Sequence, residues 1–192
     1  MLEAALTQPM CSDYAPLSDD DLARAALDDP AAFSALYQRY ATRLYHYLYG
    51  QTGNAADAED LTAQVFSDLI GALPRYSPRG SFAAWLFTIA RRRVVDLRRR
   101  DPKWLKIDDL SAFSAPEVDL LTQVTDCERI ARLKKELASL TADNLELLRL
   151  RFAAELDFRE IARVLGRSEP AVRMAMHRLL RRLEDRLEEH YE

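Results

Sequence analysis

The chain has 192 residues, a formal net charge of −4 and only five glycines. No stretch approaches the roughly 20 apolar residues that cross a bilayer, and the N-terminal MLEAALTQPM lacks the basic start and long apolar core of a secretion signal. We therefore expect no membrane insertion and a cytoplasmic location. Cys11 and Cys127 lie far apart without a CxxC motif or a histidine-cysteine cluster, so we expect no disulfide framework, no metal site and no cofactor.

Charge is distributed unevenly along the chain. Acidic residues crowd the N-terminal segment, whereas arginines crowd two tracts, residues 91–100 and 159–186. A DNA-binding domain that acts alone is usually basic as a whole. An acidic chain with two basic faces suits a protein that a larger partner delivers to DNA.

Apolar residues at three- and four-residue steps predict three helices in the first half of the chain. The first covers residues 28–50, and the second covers 54–73, because Pro74 disfavours helix at the residue before it. Residues 74–80 form a loop, and the third helix covers about 81–100. The apolar stripe of the first helix consists of Phe33, Leu36, Tyr37, Tyr40, Leu44, Tyr47 and Leu48.

The periodicity lapses over residues 102–127, which we interpret as a flexible linker. Helical order resumes near Cys127. Thr141 is a plausible N-cap for a helix over 142–152, and two more helices are predicted over 158–165 and 169–189. The predicted fold is all-α, with two small helical domains joined by the linker.

The segment FREIARVLGRSEPAVRMAM, residues 158–176, has the pattern of a helix-turn-helix. Ala162 is small enough for two helices to cross closely, Gly166 permits the tight turn, and Ser168 caps the second helix. Such a motif presents the N-terminal turn of its second helix to the major groove. The residues placed to meet DNA there are Arg167, Ser168, Glu169, Ala171, Val172, Arg173, His177 and Arg178.

The third helix carries arginines at seven-residue spacing, which places Arg91 under Arg98 and Arg92 under Arg99 at about 10 Å along the axis. Such a ladder can follow a phosphate backbone. Tyr76, Phe82 and Trp85 lie nearby in the sequence and are able to stack on unpaired bases. Core packing of the two helical aromatic residues and a solvated arginine face are the alternative interpretation.

The AEDL sequence at residues 58–61, the segment FAAWLFTIARRRVVDLRRR at 82–100 and the helix-turn-helix resemble, in this order, the extracytoplasmic-function sigma factors of the sigma-70 family. These are the subunits that give bacterial RNA polymerase its promoter specificity. The resemblance covers about residues 18–101 and 128–187. It divides the chain into an N-terminal extension (1–17), region two (18–101), a linker (102–127) and region four (128–192).

The resemblance implies a role for each part, with no catalysis by the chain itself. Region two would bind the clamp helices of the largest polymerase subunit through Asp57, Glu59, Asp60 and Gln64. It would melt and hold the proximal promoter element through Arg75, Tyr76, Ser77, Arg79, Trp85, Arg91, Arg92, Asp96, Arg98 and Arg99. Region four would read the distal element and grip the polymerase flap, and an anti-sigma factor is the further implied partner.

The chain departs from the family pattern in three respects. Ala63-Gln64 stands where Gln-Glu is frequent, so one carboxylate for the clamp is missing. Arg92 stands where Asn is common. The recognition helix has fewer hydrogen-bonding groups than usual, which favours reading through phosphates, methyl contacts and shape; the residues concerned are Ala171, Met174 and Ala175.

The sequence leaves three other functions as alternatives. A freestanding helix-turn-helix regulator explains residues 158–176 but leaves the arginine-rich helix without a purpose. An enzyme acting on nucleic acid lacks support, because His46, His177 and His190 are scattered and no HExxH, P-loop or nucleophile elbow occurs. A purely structural helical adaptor is the third.

Overall fold

The computed structural model describes residues 14, 16–78, 81–100 and 132–188. Its helices are α1 (Asp19–Ala25), α2 (Pro30–Thr52), α3 (Ala55–Ala72), α4 (Phe82–Arg100), α5 (residues 132–138), α6 (Ala142–Leu148), α7 (Phe158–Leu165) and α8 (Glu169–Glu188). A 3₁₀ turn, Leu73–Arg75, follows α3, and a π-helical turn, Arg149–Ala153, continues α6. The all-α prediction is confirmed. The predicted linker and both cysteines lie outside the described residues.

In the first domain, the two ends of α2 are fixed by capping residues. Asp29 caps the N-terminus by accepting a hydrogen bond from the backbone N–H of Ala31 at 2.9 Å, and Pro30 takes the first helical position. The helix ends at Thr52, and Gly53 follows as its C-cap with φ 63°. The predicted end at Gly50 was two residues short, because Gly53 is the glycine that takes the left-handed conformation that closes the helix.

The helix α1 was not predicted from the sequence. Ser18 caps it by accepting from the backbone N–H of Asp21 at 3.2 Å, and Leu22 and Ala23 are buried. The preceding turn is also attached to the domain, since the Tyr14 hydroxyl donates to Asp29. Part of the segment assigned to an N-terminal extension therefore packs on α2.

The core of the first domain lies between α2, α3 and α4, which pack against one another. Full burial of an apolar side chain of this size stabilises the fold by roughly 1.5–3 kcal/mol. Side chains with no exposed surface come from all three helices and include Leu36, Leu44, Tyr47, Leu48, Leu69, Leu86 and Phe87.

The second domain contains the predicted helix-turn-helix as α7 and α8. Asp157 and Glu160 form a reciprocal capping box at the start of α7, and Gly166 ends it with φ 64°. Val172 and Met176 of α8 are buried against α7. Thr141 caps α6 as predicted, accepting from the backbone N–H of Asn144 at 3.4 Å.

Replacing Gly166 by alanine is expected to destabilise the chain by about 1 kcal/mol, because a Cβ raises the energy of the left-handed conformation. Gly71 is the matched control, since it lies at an exposed position of α3 with open space around it. Gly71→Ala should stabilise the chain by roughly 0.5–1 kcal/mol through helix propensity. Urea unfolding of both variants measures the difference, and effects of the same sign would contradict it.

The two domains lie against each other. Helix α4 packs on α7, and α2 packs on the π-helical turn. The sequence patterns within each domain contain no indication of this contact, which involves residues that approach only through the tertiary fold.

Candidate nucleic-acid and protein interfaces

An aromatic cluster lies between the 3₁₀ turn and the start of α4. The Tyr76 ring lies 4.6 Å from the Trp85 ring, centroid to centroid, and 5.6 Å from the Phe82 ring, which it meets edge-on. Phe82 is buried and also contacts Tyr40 of α2 at 5.3 Å. Phe82 is therefore a core residue, whereas Trp85 and Tyr76 are half-buried and reach the surface.

The Tyr76 hydroxyl is held in place by α1, because it donates a hydrogen bond to Asp20. Burial and then the Asp20 carboxylate raise the pKa of Tyr76 well above its ordinary value. The phenol consequently stays protonated and keeps its donor role across the working pH range of a cell.

A groove of about 340 Å³ opens beside this cluster. That volume lies within the roughly 300–1,000 Å³ range of small-ligand pockets. Its lining includes four residues predicted for the proximal element, together with one arginine of the second domain: Arg75, Tyr76, Ser77, Ser81, Ala84, Trp85, Thr88 and Arg163. Arg79 lies outside the described residues.

The arginine ladder of α4 divides into two rows with different surroundings. Arg92 and Arg99 are exposed, as is Asp96 between them. Arg91 and Arg98 are instead half-buried and contact other side chains. The Nε of Arg91 lies 3.5 Å from Oε1 of Glu146 in the second domain, whereas Nη2 of Arg98 donates at 2.6 Å to Oε1 of Gln51, which lies on α2 of the same domain. The four arginines predicted to act together therefore lie in two environments.

The N-terminal part of α8 presents most of the predicted recognition residues to solvent. Arg167, Ser168, Arg173, His177 and Arg178 are exposed, and Glu169 and Ala171 are half-buried. Val172 has no exposed surface and packs in the helix-turn-helix core. The structure therefore places Val172 away from any DNA surface, because its position on α8 faces α7.

Arg173 is held in a defined orientation. Its Nη2 lies 2.6 Å from Oε1 of Glu169, one helical turn earlier, and its Cζ lies 4.8 Å from the ring centroid of Phe158. A cation over an aromatic ring and an ion pair together restrict the rotamers of a long side chain. Phe158 was not singled out from the sequence, where an aromatic residue at the start of a helix is most simply a core residue.

The residues predicted to bind polymerase lie along one side of α3. Glu59, Asp60 and Gln64 are exposed, and Asp57 is half-buried in the first turn. The side chain of Asp68, further along the helix, forms an ion pair with Arg93 of α4 at 3.0 Å. The N-terminal half of α3 therefore carries an exposed negative charge.

An apolar groove of about 590 Å³ adjoins this acidic side. Tyr37 of α2 and Ile70 of α3 are 46% and 55% exposed beside it, and Phe33 and Phe66 form its floor with ring centroids 6.3 Å apart. The sequence pattern places Tyr37 on the apolar stripe of its helix, but the structure leaves it at the surface. Periodicity identifies the apolar side of a helix without showing how far its neighbour covers that side.

Among the described residues, no group of histidine, cysteine, aspartate and glutamate is arranged to hold a metal ion. Within the same part of the chain, the helices are too short or too polar to cross a membrane.

Two family models match the chain. One describes sigma-70 region 2 and covers residues 36–103, which contain α3, α4 and all of the groove lining except Arg163. The other describes sigma-70 region 4 and covers residues 130–183, which contain the helix-turn-helix.

Characterised relatives match over most of the chain. The ECF RNA polymerase sigma factor BldN of Streptomyces coelicolor is 32% identical over 88% of this chain and 67% of its own length. The ECF RNA polymerase sigma factor SigD of Mycobacterium tuberculosis is 31% identical over 88% of this chain and 83% of its own length. The ECF RNA polymerase sigma factor RpoE of Cereibacter sphaeroides is 31% identical over 82% of this chain and 91% of its own length.

Among solved structures, CnrH in complex with the cytosolic domain of CnrY resembles the chain with a TM-score of 0.64. The similarity covers 88% of this chain and 97% of CnrH at 24% sequence identity. At that level of identity the comparison supports the fold.

Proposed function

This chain belongs to the ECF RNA polymerase sigma factors, which are transcription initiation factors, and from that premise we propose how its surfaces divide the work. The first domain binds core polymerase through α3 and holds the melted proximal promoter element through α4 and the aromatic groove. The second domain reads the distal element through α8. The chain makes and breaks no covalent bond, and it acts in the cytoplasm together with the polymerase.

The observation that carries this proposal is the juxtaposition on the first domain of an aromatic groove and exposed arginines. Tyr76 and Trp85 are half-buried and line the groove, and the exposed Arg92 and Arg99 extend from the same helix as Trp85. Stacking faces beside cations are the combination that binds single-stranded nucleic acid, because bases stack while phosphates pair with the charges. A base flipped from the duplex costs a few kcal/mol of unstacking, which contacts in such a groove offset.

The proposed polymerase face combines charge and apolar surface. Glu59 and Asp60 supply exposed negative charge, and Glu59 also borders the groove formed by Phe33, Tyr37 and Ile70. Charged rims govern the rate and specificity of association, whereas apolar contacts supply most of the affinity. We assign the flap of the polymerase to the outer surface of the second domain.

Recognition of the distal element is assigned to the exposed N-terminal turn of α8. Arg173 is the side chain best placed to contact a base edge, because Glu169 and Phe158 orient its guanidinium. Arg178, Arg181 and Arg182 lie further along the exposed side of the helix and suit phosphate contacts.

Regulation by a protein partner is part of the proposal. CnrH, which shares the fold, was solved bound to the cytosolic domain of CnrY. An anti-sigma factor for this chain would cover the polymerase-binding and DNA-binding surfaces until a signal releases it.

Run-off transcription on a fragmented-genome template library, with bacterial core polymerase and with or without this protein, tests the proposal. New start sites that share two spaced upstream motifs are expected. Duplex binding without core binding or new starts would instead identify a freestanding regulator.

The double variant Arg92→Ala with Arg99→Ala is expected to lower the affinity of the polymerase-bound chain for a melted promoter about tenfold at moderate salt. Each phosphate contact with a single strand contributes about 0.7 to the slope of log binding constant against log salt concentration. Loss of two contacts should therefore reduce the magnitude of that slope by roughly 1.4. Filter binding on a template with a premelted bubble, across a salt series, measures both quantities.

The matched control removes two exposed cations from α5, as Lys134→Ala with Lys135→Ala. It should leave the affinity and the slope unchanged. An equal loss in both double variants would show a general effect of net charge in place of contacts made by α4.

A further inference from the structure

The second helix of the helix-turn-helix buries one row of side chains. Val172, Met176 and Leu179 have at most 3% of their surface exposed, and they recur at steps of four and three residues. Because successive residues of an α-helix turn by about 100°, this spacing keeps the row on the side of α8 that faces α6 and α7. The buried row therefore fixes which side of α8 points away from the protein.

Met174 lies on that outward side. It is two residues from Val172 and from Met176, so its side chain leaves the helix roughly opposite to both. At 60% it has the largest exposure among the large apolar residues of the described chain. As the sixth residue of α8, it also belongs to the first two turns, the part of a recognition helix that enters the major groove. The outermost side chain of this part of α8 is therefore apolar.

The surroundings of Met174 favour a polyanion as the partner of this surface. His177 and Arg178 follow three and four residues later and therefore lie on the same side of the helix. Glu169, the acidic residue of the first turn, is paired with Arg173 at 2.6 Å. An apolar side chain among cations suits a groove of duplex DNA, where phosphates flank the base edges. The exposed arginines of α8 and of the turn before it are Arg167, Arg173, Arg178, Arg181 and Arg182, with Arg186 further along.

The chemistry of methionine limits what Met174 is able to recognise in that groove. Its thioether has no hydrogen-bond donor and is only a weak acceptor, so it matches neither the two acceptors of guanine nor the polar edges of adenine and cytosine. The C5-methyl group of thymine is the apolar group that the standard bases present in the major groove. The unbranched, polarizable side chain of methionine adapts its shape to such a contact.

We infer that Met174 recognises a thymine of the distal promoter element through the C5-methyl group of that base. The inference rests on the proposed reading of the distal element by α8, and it names the base that one residue selects. Arg173 is held beside the Phe158 ring on the flank of the helix, so the two neighbouring residues contact different groups of the DNA. Burial of one methyl group against the thioether should strengthen binding about fourfold.

The experiment measures competition binding of the holoenzyme, formed by core polymerase and the full chain, to promoter duplexes. Each thymine of the distal element is replaced in turn by uracil, which pairs as thymine does and lacks only the methyl group. The parent protein should bind about fourfold more weakly when one particular thymine is replaced. Met174→Ala should bind the thymine and uracil forms of that position equally.

Leu180→Ala is the matched control, because Leu180 is an apolar residue of the same helix that is 42% exposed. It lies four residues after Met176 and therefore beside the buried row, about 9 Å along the axis from Met174. This variant should keep the fourfold preference of the parent protein for thymine.

A second probe tests the methyl group in a different base pair. Duplexes that carry cytosine or 5-methylcytosine at the sensitive position differ only in that group. The parent protein should bind the methylated duplex about fourfold more tightly, and Met174→Ala should bind the two duplexes equally.

A distal element that contains no required thymine, or that tolerates uracil at every thymine, would overturn the inference. So would a preference for thymine that persists in Met174→Ala. Loss of core polymerase binding in that variant, with the preference unchanged, would assign Met174 to a protein partner instead. Each comparison uses one protein on two duplexes, so a partly unfolded variant does not alter the ratio.

Run-off transcription by the same proteins separates this inference from the proposed function. If start sites with two spaced motifs appear while the preference for thymine is absent, the inference is rejected and the proposed function stands. If no specific start sites appear, the proposed function itself is rejected.

Discussion

Replacing Glu59 and Asp60 together by lysine is expected to weaken binding to core polymerase by at least about 30-fold, equivalent to about 2 kcal/mol. Both carboxylates are exposed on α3 beside the apolar groove, so reversing their charge alters the surface that we assign to the clamp helices. Like charges brought together across an interface cost several kcal/mol when they are desolvated. Fluorescence anisotropy with labelled chain and purified core polymerase measures the affinity.

The control reverses two adjacent acidic residues outside this surface, Glu184→Lys with Asp185→Lys, which are exposed near the end of α8. That variant should lose clearly less affinity than the α3 variant, because the net charge change is the same and the clamp-binding surface on α3 is untouched, although α8 belongs to the domain to which we assign the flap. Equal losses in the two double variants would move the polymerase site away from α3. Circular dichroism and urea unfolding establish that both variants are folded.

Arg173→Ala is expected to lower affinity for the distal promoter element by about 10- to 100-fold, because a specific arginine contact with a base is worth about 1–3 kcal/mol. Discrimination at one base pair should be lost with it, whereas affinity for core polymerase should stay unchanged. Competition binding of the holoenzyme to promoters with every single-base change in the distal element measures both effects.

Two further variants test whether the effect of Arg173 depends on the orientation of its guanidinium or on its charge alone. Phe158→Leu keeps an apolar residue but removes the ring under the guanidinium, and we expect a smaller loss, about threefold, at the same base pair. Arg181→Ala removes an exposed charge further along α8 and should weaken all sequences equally. If Arg173→Ala also weakens binding to all sequences equally, Arg173 contacts phosphate and its assignment to a base is wrong.

Local sequence patterns predicted most of the helices, since periodicity and capping are properties of neighbouring residues. The bounds of α7 match the prediction, and Thr141 caps α6 as expected. The pattern failed to predict the end of α2, where two glycines are candidates for the C-cap. Gly50 and Gly53 both follow the apolar stripe, and only the path of the chain into α3 determines which one takes a positive φ.

The structure places most of the predicted site residues at the surface and a few of them in the core. Most members of the recognition set on α8 are exposed, but Val172 is buried because a helix in this motif must turn one row of side chains toward α7. The exposure of Tyr37 was missed, since its burial depends on the spacing between α2 and α3. The orienting role of Phe158 was missed because it depends on the path of Arg173 across the turn.

The sequence by itself determined most of the helices, the helix-turn-helix and the family, because all three follow from the order and spacing of residues along the chain. Only the tertiary structure decided which arginines of α4 are open to DNA. Arg91 and Arg98 meet a network in which Gln51 and Glu146, 95 residues apart, form a hydrogen bond. The periodicity of one helix cannot predict such a contact, because the pairing of polar residues on two distant helices depends on how the domains pack.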